Sequence, residues 1–145
     1  VSNTISTAGP IVLLARLSRL MYRASTPELL GISLKEMAAL AYLRDHAGTT
    51  QKALSEGLCV DANYCVLLLN ELEAAGLAER HRDPADRRRH LVRMTDAGRR
   101  ALDHAERGQE TIEDEILARL DQDERAALAR LLRRALDGAP RHAEP

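Results

Sequence analysis

Hydrophobic positions recur along most of the chain three and four residues apart, which gathers them on one face of an α-helix rather than one face of a strand. Leu13, Leu14, Leu17, Leu20 and Met21 follow this rule behind Pro10, a residue suited to a first helical turn. Ile11 and Val12 widen the stripe around more than one face. Ser33-Leu34-Lys35-Glu36 is a capping box that opens a second helix, with Met37, Leu40, Ala41 and Leu43 turned inward and Gly48 as its stop. A short helix then runs from a Thr49 or Thr50 cap to about Gly57. After a turn, Asp61 caps a helix whose Cys65, Leu68, Leu69 and Leu72 form an inward stripe that ends at Gly76. A short helix, a tight turn and a longer capped helix make a helix-turn-helix arrangement.

The pattern changes next. Residues 77–82 and 89–94 are short runs on either side of Asp83-Pro84-Ala85-Asp86, a turn-forming tetrapeptide. In the second run His90, Val92 and Met94 share one face and Leu91 and Arg93 the other. This predicts a two-stranded β-hairpin, a wing, with Arg87, Arg88 and Arg89 at its tip. Thr95 caps a long helix with Asp96 in its first turn and Ala101, Leu102, Ala105, Ile112, Ile116 and Leu120 along its stripe. Asp121-x-x-Glu124 is a second capping box, opening a last helix with Leu128, Leu131, Leu132, Ala135 and Leu136 inside. The expected fold is mostly α: a winged helix-turn-helix at residues 33–98 and a helical lobe from residues 10–32 and 99–137. Residues 1–9 read as a disordered tail and 138–145 as a frayed one. The helices of the lobe have no obvious core of their own, so the two chain ends are expected to pack with those of a second copy, as a homodimer.

Composition supports the helical reading. Among 145 residues there are 24 Leu and 23 Ala but only five Val and five Ile, and the aromatics are three Tyr alone. No apolar run exceeds seven residues, so no membrane span or membrane partner is expected, and the run at 11–15 lacks the basic segment of a secretory signal. Cys59 and Cys65 are too few for a disulfide framework and too far apart on a helix to bond each other, which fits a reducing cytoplasm. Net charge is −1, yet the charges are divided. Residues 80–100 hold eight arginines against three aspartates, and residues 103–124 hold nine acids against two arginines. Such a division is a statement about partners.

Arginines on a hairpin tip are often only a solvated turn. Here they follow a helix whose outward face, Ala62, Asn63, Val66, Leu67 and Asn70 with Tyr64 near its entry, carries no charge. That combination fits a helix in the major groove of double-stranded DNA and a wing reaching the neighbouring minor groove or its phosphates. Arginine suits a narrow, negatively charged groove because its guanidinium is weakly hydrated. Asp86 would repel DNA if it touched it, and its natural role is to hold an arginine extended.

Leu72-Glu73-Ala74-Ala75-Gly76-Leu77, then Arg80-His81-Arg82-Asp83-Pro84-Ala85-Asp86-Arg87-Arg88, then Leu91-Val92-Arg93-Met94-Thr95-Asp96-Ala97-Gly98 resemble the MarR family of bacterial transcriptional regulators. Met94 stands where that family usually has Leu. The resemblance runs from about Leu34 to Gly98. It implies a winged-helix dimer on pseudo-palindromic DNA, usually a repressor released by a small ligand or by oxidation. Position by position it makes Arg88 the minor-groove arginine, Asp86 the carboxylate that orients it, and Thr50, Gln51 and Lys52 contacts to the phosphate backbone. Many members carry Ser or Thr followed by Arg where this chain has Val66 and Leu67. Those two are expected to meet thymine methyl groups, or else to pack within the protein, to signal weak or altered DNA recognition, or to serve as a protein-docking patch.

No enzyme and no cofactor are expected: no phosphate loop, nucleophile elbow or catalytic carboxylate pair is present. The five histidines show no helical pair with a carboxylate partner, so no metal is expected, and His81 and His90 read as cross-strand neighbours in the wing. Some family members sense peroxide through an N-terminal cysteine, but here no cysteine precedes Cys59. A thiol switch at Cys59, in the reading head itself, is the alternative to a small-molecule effector. In the family the effector lies between lobe and wing, where Arg16, Tyr22, Tyr42 and His46 are candidate lining residues; its identity is unknown from sequence.

Overall fold

The computed structural model describes residues 7–139. The expected parts of the tails at 1–6 and 140–145 lie outside the described residues. The elements in order are α1 (Pro10–Ala24), α2 (Pro27–Leu30), α3 (Leu34–Asp45), β1 (Thr49–Thr50), α4 (Gln51–Gly57), α5 (Ala62–Ala74), β2 (Ala78–Arg82), β3 (His90–Met94), α6 (Asp96–Ile116) and α7 (Gln122–Asp137). This is a mostly helical chain with a small antiparallel sheet in the order β1-β3-β2.

The local signals in the sequence set these boundaries. Ser33 Oγ accepts from the Glu36 amide at 3.2 Å while the Ser33 amide donates to Glu36 Oε1 at 3.1 Å, so two otherwise orphaned donors at the start of α3 are satisfied. Asp121 and Glu124 make the same reciprocal pair at the start of α7. Thr50, rather than Thr49, caps α4 through the Ala53 amide at 3.0 Å. Asp61 caps α5 through the Tyr64 amide at 2.7 Å.

The core of the winged unit is built from side chains of α3, α4, α5, β3 and α6: Leu40, Leu54, Cys65, Leu69, Leu72, Val92 and Leu102 are all removed from solvent. Thr95 joins the wing to α6. Its hydroxyl donates to the Gly76 carbonyl at 2.6 Å and accepts from the Gly98 amide at 3.0 Å. Gly98 is required there by space, because a Cβ would stand 2.1 Å from the Leu77 carbonyl oxygen and 2.8 Å from Met94 Cγ. Further along α6, Gly108 admits α2, with the Leu29 carbonyl oxygen 2.7 Å from where a Cβ would be.

Four details differ from the sequence expectation. Residues 10–32 hold two helices rather than one, since Thr26 caps a separate short turn at Pro27. Thr49 and Thr50 add a third strand, pairing with Val92 and Leu91 of β3. Leu120 is not on the stripe of α6, which ends at Ile116; Arg125 reaches back to donate to the Leu117 carbonyl at 3.1 Å and the Leu120 carbonyl at 3.0 Å, backbone acceptors that a longer helix would have used, and to Asp114 Oδ1 at 2.7 Å. His81 lies opposite Leu91, and His90 opposite Arg82, so the two histidines are not cross-strand partners.

Within a single chain, α1 and α7 bury no residue at all. Ile11 is 83% exposed, and Leu131 and Leu136, expected inside, are 51% and 62% exposed.

Candidate nucleic-acid interface

The wing turns at Asp83–Arg89, where the Asp83 amide donates to the Arg89 carbonyl at 2.9 Å and the Arg89 amide to the Asp86 carbonyl at 3.0 Å. Asp83 Oδ1 accepts from the Ala85 amide at 2.9 Å, the Asx turn that Asp-Pro sequences favour. Arg82 Nη1 donates across the turn to the Arg87 carbonyl at 2.8 Å. The tip is therefore held by its own backbone.

Asp86 uses this rigidity to order an arginine. Asp86 Oδ1 accepts from the Arg88 amide at 3.1 Å and from Arg88 Nε at 3.1 Å, while Oδ2 faces Arg88 Nη2 at 3.4 Å. The side chain of Arg88 is nonetheless 91% exposed, against 31% for that of Asp86. The hydrogen bonds from the Arg88 side chain and then its backbone hold the Asp86 carboxyl below the usual aspartate range. An arginine that is fully solvated and yet fixed in direction is ready for an anionic partner outside the chain, because part of its ordering entropy is already lost.

At the foot of the wing, Thr50, Gln51 and Lys52 from the start of α4 line an open groove together with Arg88, Arg89 and His90. The start of α4, expected to contact the phosphate backbone, thus lies beside the wing arginines. The Thr50 hydroxyl is engaged as the cap and only half-buried, while Lys52 is exposed. The outward residues of α5 form a separate face. Ala62, Asn63 and Asn70 are exposed, Tyr64 is 41% and Leu67 57% exposed, and Val66 is half-buried. Of the two apolar departures, Leu67 is the one presented to solvent.

Arg80, to which the sequence assigns no individual role, ties α5 to β2. Its Nη2 donates to Asn70 Oδ1 at 2.6 Å and its Nε pairs with Glu73. Nothing in the spacing signals this, because the contact depends on how the strand crosses the helix.

Cys59 is exposed in the turn between α4 and α5, with φ of 58°, the one non-glycine residue at positive φ among the described residues. Cys65 is buried, and burial pushes its thiol pKa up, away from reactivity. Among the described residues no cluster of metal-ligating side chains occurs, and no helix is long and apolar enough to cross a membrane.

The match to known proteins follows this geometry. Residues 30–89, from the end of α2 to the wing tip, match the profile of the MarR family. The HTH-type transcriptional repressor NicR of Pseudomonas putida is 30% identical over 115 residues, which cover 79% of this chain and 71% of NicR. The chain belongs to the MarR family. The transcriptional regulatory protein proposed for the hcr operon of Thauera aromatica is 36% identical over 95 residues, 66% of this chain; the match spans 57% of that relative's length. Among solved structures, the PcaV transcriptional regulator of Streptomyces coelicolor, in complex with its natural ligand, superposes with a TM-score of 0.75 at 26% identity, covering 97% of this chain and all of that one. These relatives are named transcriptional regulators, and this chain shares the MarR family and its winged helix-turn-helix.

Proposed function

We propose that this chain is a homodimeric, cytoplasmic repressor that binds a pseudo-palindromic operator in double-stranded DNA and is released by a small-molecule effector. The observation that carries the DNA-binding reading is the exposed Arg88 held in direction by Asp86 on a rigid turn. In this reading Arg88 enters the minor groove, and Arg87 and Arg89 meet phosphates beside it. Thr50, Gln51 and Lys52 meet the backbone on the other side of the same groove of the protein. Ala62, Asn63, Tyr64, Val66, Leu67 and Asn70 face the base edges of the major groove, with Leu67 against a thymine methyl.

Dimerisation is supported by the two terminal helices, which leave Ile11, Leu131 and Leu136 in water in a single chain. Residues 10–32 and 99–137 then form the shared lobe, and residues 33–98 the reading unit. Two-fold symmetry would place two α5 helices on half-sites about one DNA turn apart. Effector control is supported by kinship: NicR is named a repressor, and PcaV is known with its natural ligand.

The test is fluorescence anisotropy on a duplex from upstream of the protein's own gene, with wild type and Arg88→Ala side by side. The variant should lose about 1–3 kcal/mol per wing that reads the groove. Equal affinity of the two proteins would remove Arg88 from the interface. A protein-docking role for the face around Leu67 predicts instead that no duplex binds and that a partner co-purifies.

A further inference from the structure

Asn70 is the one residue of the outward face of α5 whose side chain is already engaged. It lies seven residues after Asn63 and so on the same side of the helix. Arg80, on β2, donates Nη2 to its Oδ1 at 2.6 Å, while Arg80 Nε is held by Glu73, one helical turn beyond Asn70. The Arg80 side chain is only 24% exposed, so it is part of the protein body rather than a free surface charge.

This contact fixes the sense of the amide. Arginine offers donors only, so the group it meets on Asn70 must be the oxygen, and the amide nitrogen with its two protons must point elsewhere. A second donor could reach Oδ1 only beside the positive guanidinium, which repels the partial positive charge of an incoming N–H. An unrestrained asparagine reads adenine by accepting from N6 and donating to N7 at once. Asn70 in this arrangement has only donors to offer. In the major groove guanine alone presents two acceptors, N7 and O6; adenine has one, N7, beside an amino donor, thymine has one, O4, beside its methyl, and cytosine has only a donor, so an amide with two protons to give is best matched by guanine.

We propose that Arg80 is a positioning residue for base recognition: by holding the Asn70 oxygen it makes the Asn70 amide a donor alone, and so selects guanine at one position of each half-site. This rests on the DNA-reading function proposed above and adds a specificity to it.

The experiment measures binding to a panel of operators carrying each of the four bases at the position where Asn70→Ala abolishes preference. Wild type should prefer guanine to adenine there by about five- to tenfold, within the range of good base-edge contacts. Arg80→Met keeps the stem and removes the donors, so the amide can turn and the preference should move toward adenine by a similar factor. Arg80→Lys, again a donor only, should restore guanine. Glu73→Ala loosens Arg80 without emptying its place and should shift the ratio the same way by less, which keeps the test available if Arg80→Met folds poorly. A uniform loss of affinity for all four operators in Arg80→Met and Glu73→Ala would overturn the proposal, because a merely structural arginine does exactly that much and no more. If wild type bound the operators while the guanine-to-adenine ratio stayed fixed in every variant, this inference alone would fall. If wild type bound no duplex, the DNA-reading function would fall with it.

Discussion

Replacing Asp86 by alanine sets two physical effects against each other. Removing a negative charge near DNA should tighten binding by long-range electrostatics. At about 10 Å from a phosphate in water that gain is worth a factor of about two before salt screening and less after it. Against it stands the ordering of Arg88. Asp86 holds Nε at 3.1 Å and the backbone amide at 3.1 Å, on a side chain otherwise 91% exposed. Without that hold, binding must immobilise a long side chain from a free rotamer distribution, a cost equivalent to roughly 2- to 12-fold in affinity per side chain. Two wings per dimer lose about 5- to 150-fold from ordering, against at most about fourfold gained from the two charges before screening, so the ordering effect should win. Anisotropy on the operator measures it, and the salt slope should stay unchanged because no cation has been removed. The difference should also follow the ionisation of Asp86. Its folded pKa is depressed by Arg88, so the pairing is intact above the ordinary aspartate value and is lost only as pH falls through the lowered one. The gap between wild type and variant should thus be flat from about pH 8 to about pH 5. Binding by Asp86→Ala as tight as wild type, or tighter, would show that the carboxylate orders nothing that DNA uses.

Other outcomes follow from the same structure. Leu131→Arg with Leu136→Arg, at positions 51% and 62% exposed, should convert the dimer to monomer by light scattering, since each leucine contributes about 1 kcal/mol of burial per protomer; an unchanged mass would move the interface elsewhere. Gly98→Ala should lower the urea midpoint although alanine gains about 1 kcal/mol in helix propensity, because its Cβ would meet the Leu77 oxygen at 2.1 Å; a raised midpoint would refute the close approach. Cys59→Gly should fold at least as stably as wild type, since φ of 58° is strained for a residue with a Cβ, and wild type and variant alike should keep DNA binding with or without peroxide. Release of the wild type alone by peroxide would instead establish the thiol switch.

Most of the architecture was legible because it is written in local chemistry. Ser33 with Glu36 and Asp121 with Glu124 mark helix starts by hydrogen bonds that span three residues, and the Cys65, Leu68, Leu69 and Leu72 stripe is set by helical geometry alone. The Asp86–Arg88 pair was legible for the same reason, being two residues apart on a turn. What escaped depends on distant parts of the chain. The pairing of Thr49 and Thr50 with β3 and the clamp of Arg80 on Asn70 arise only once strand and helix have packed. The separate turn of α2 is a different case: Thr26 before Pro27 was a visible cap that the longer apolar pattern obscured. On α7 the apolar stripe expected inside is not covered by a single chain, because what would cover it is not part of that chain's own sequence order.

The salt dependence of wild-type binding to its operator is the decisive measurement. If the two wings and the two α4 starts neutralise about six phosphates, log K against log salt should fall with a slope near −5. A slope near zero, at any affinity, would mean that these arginines do not read DNA.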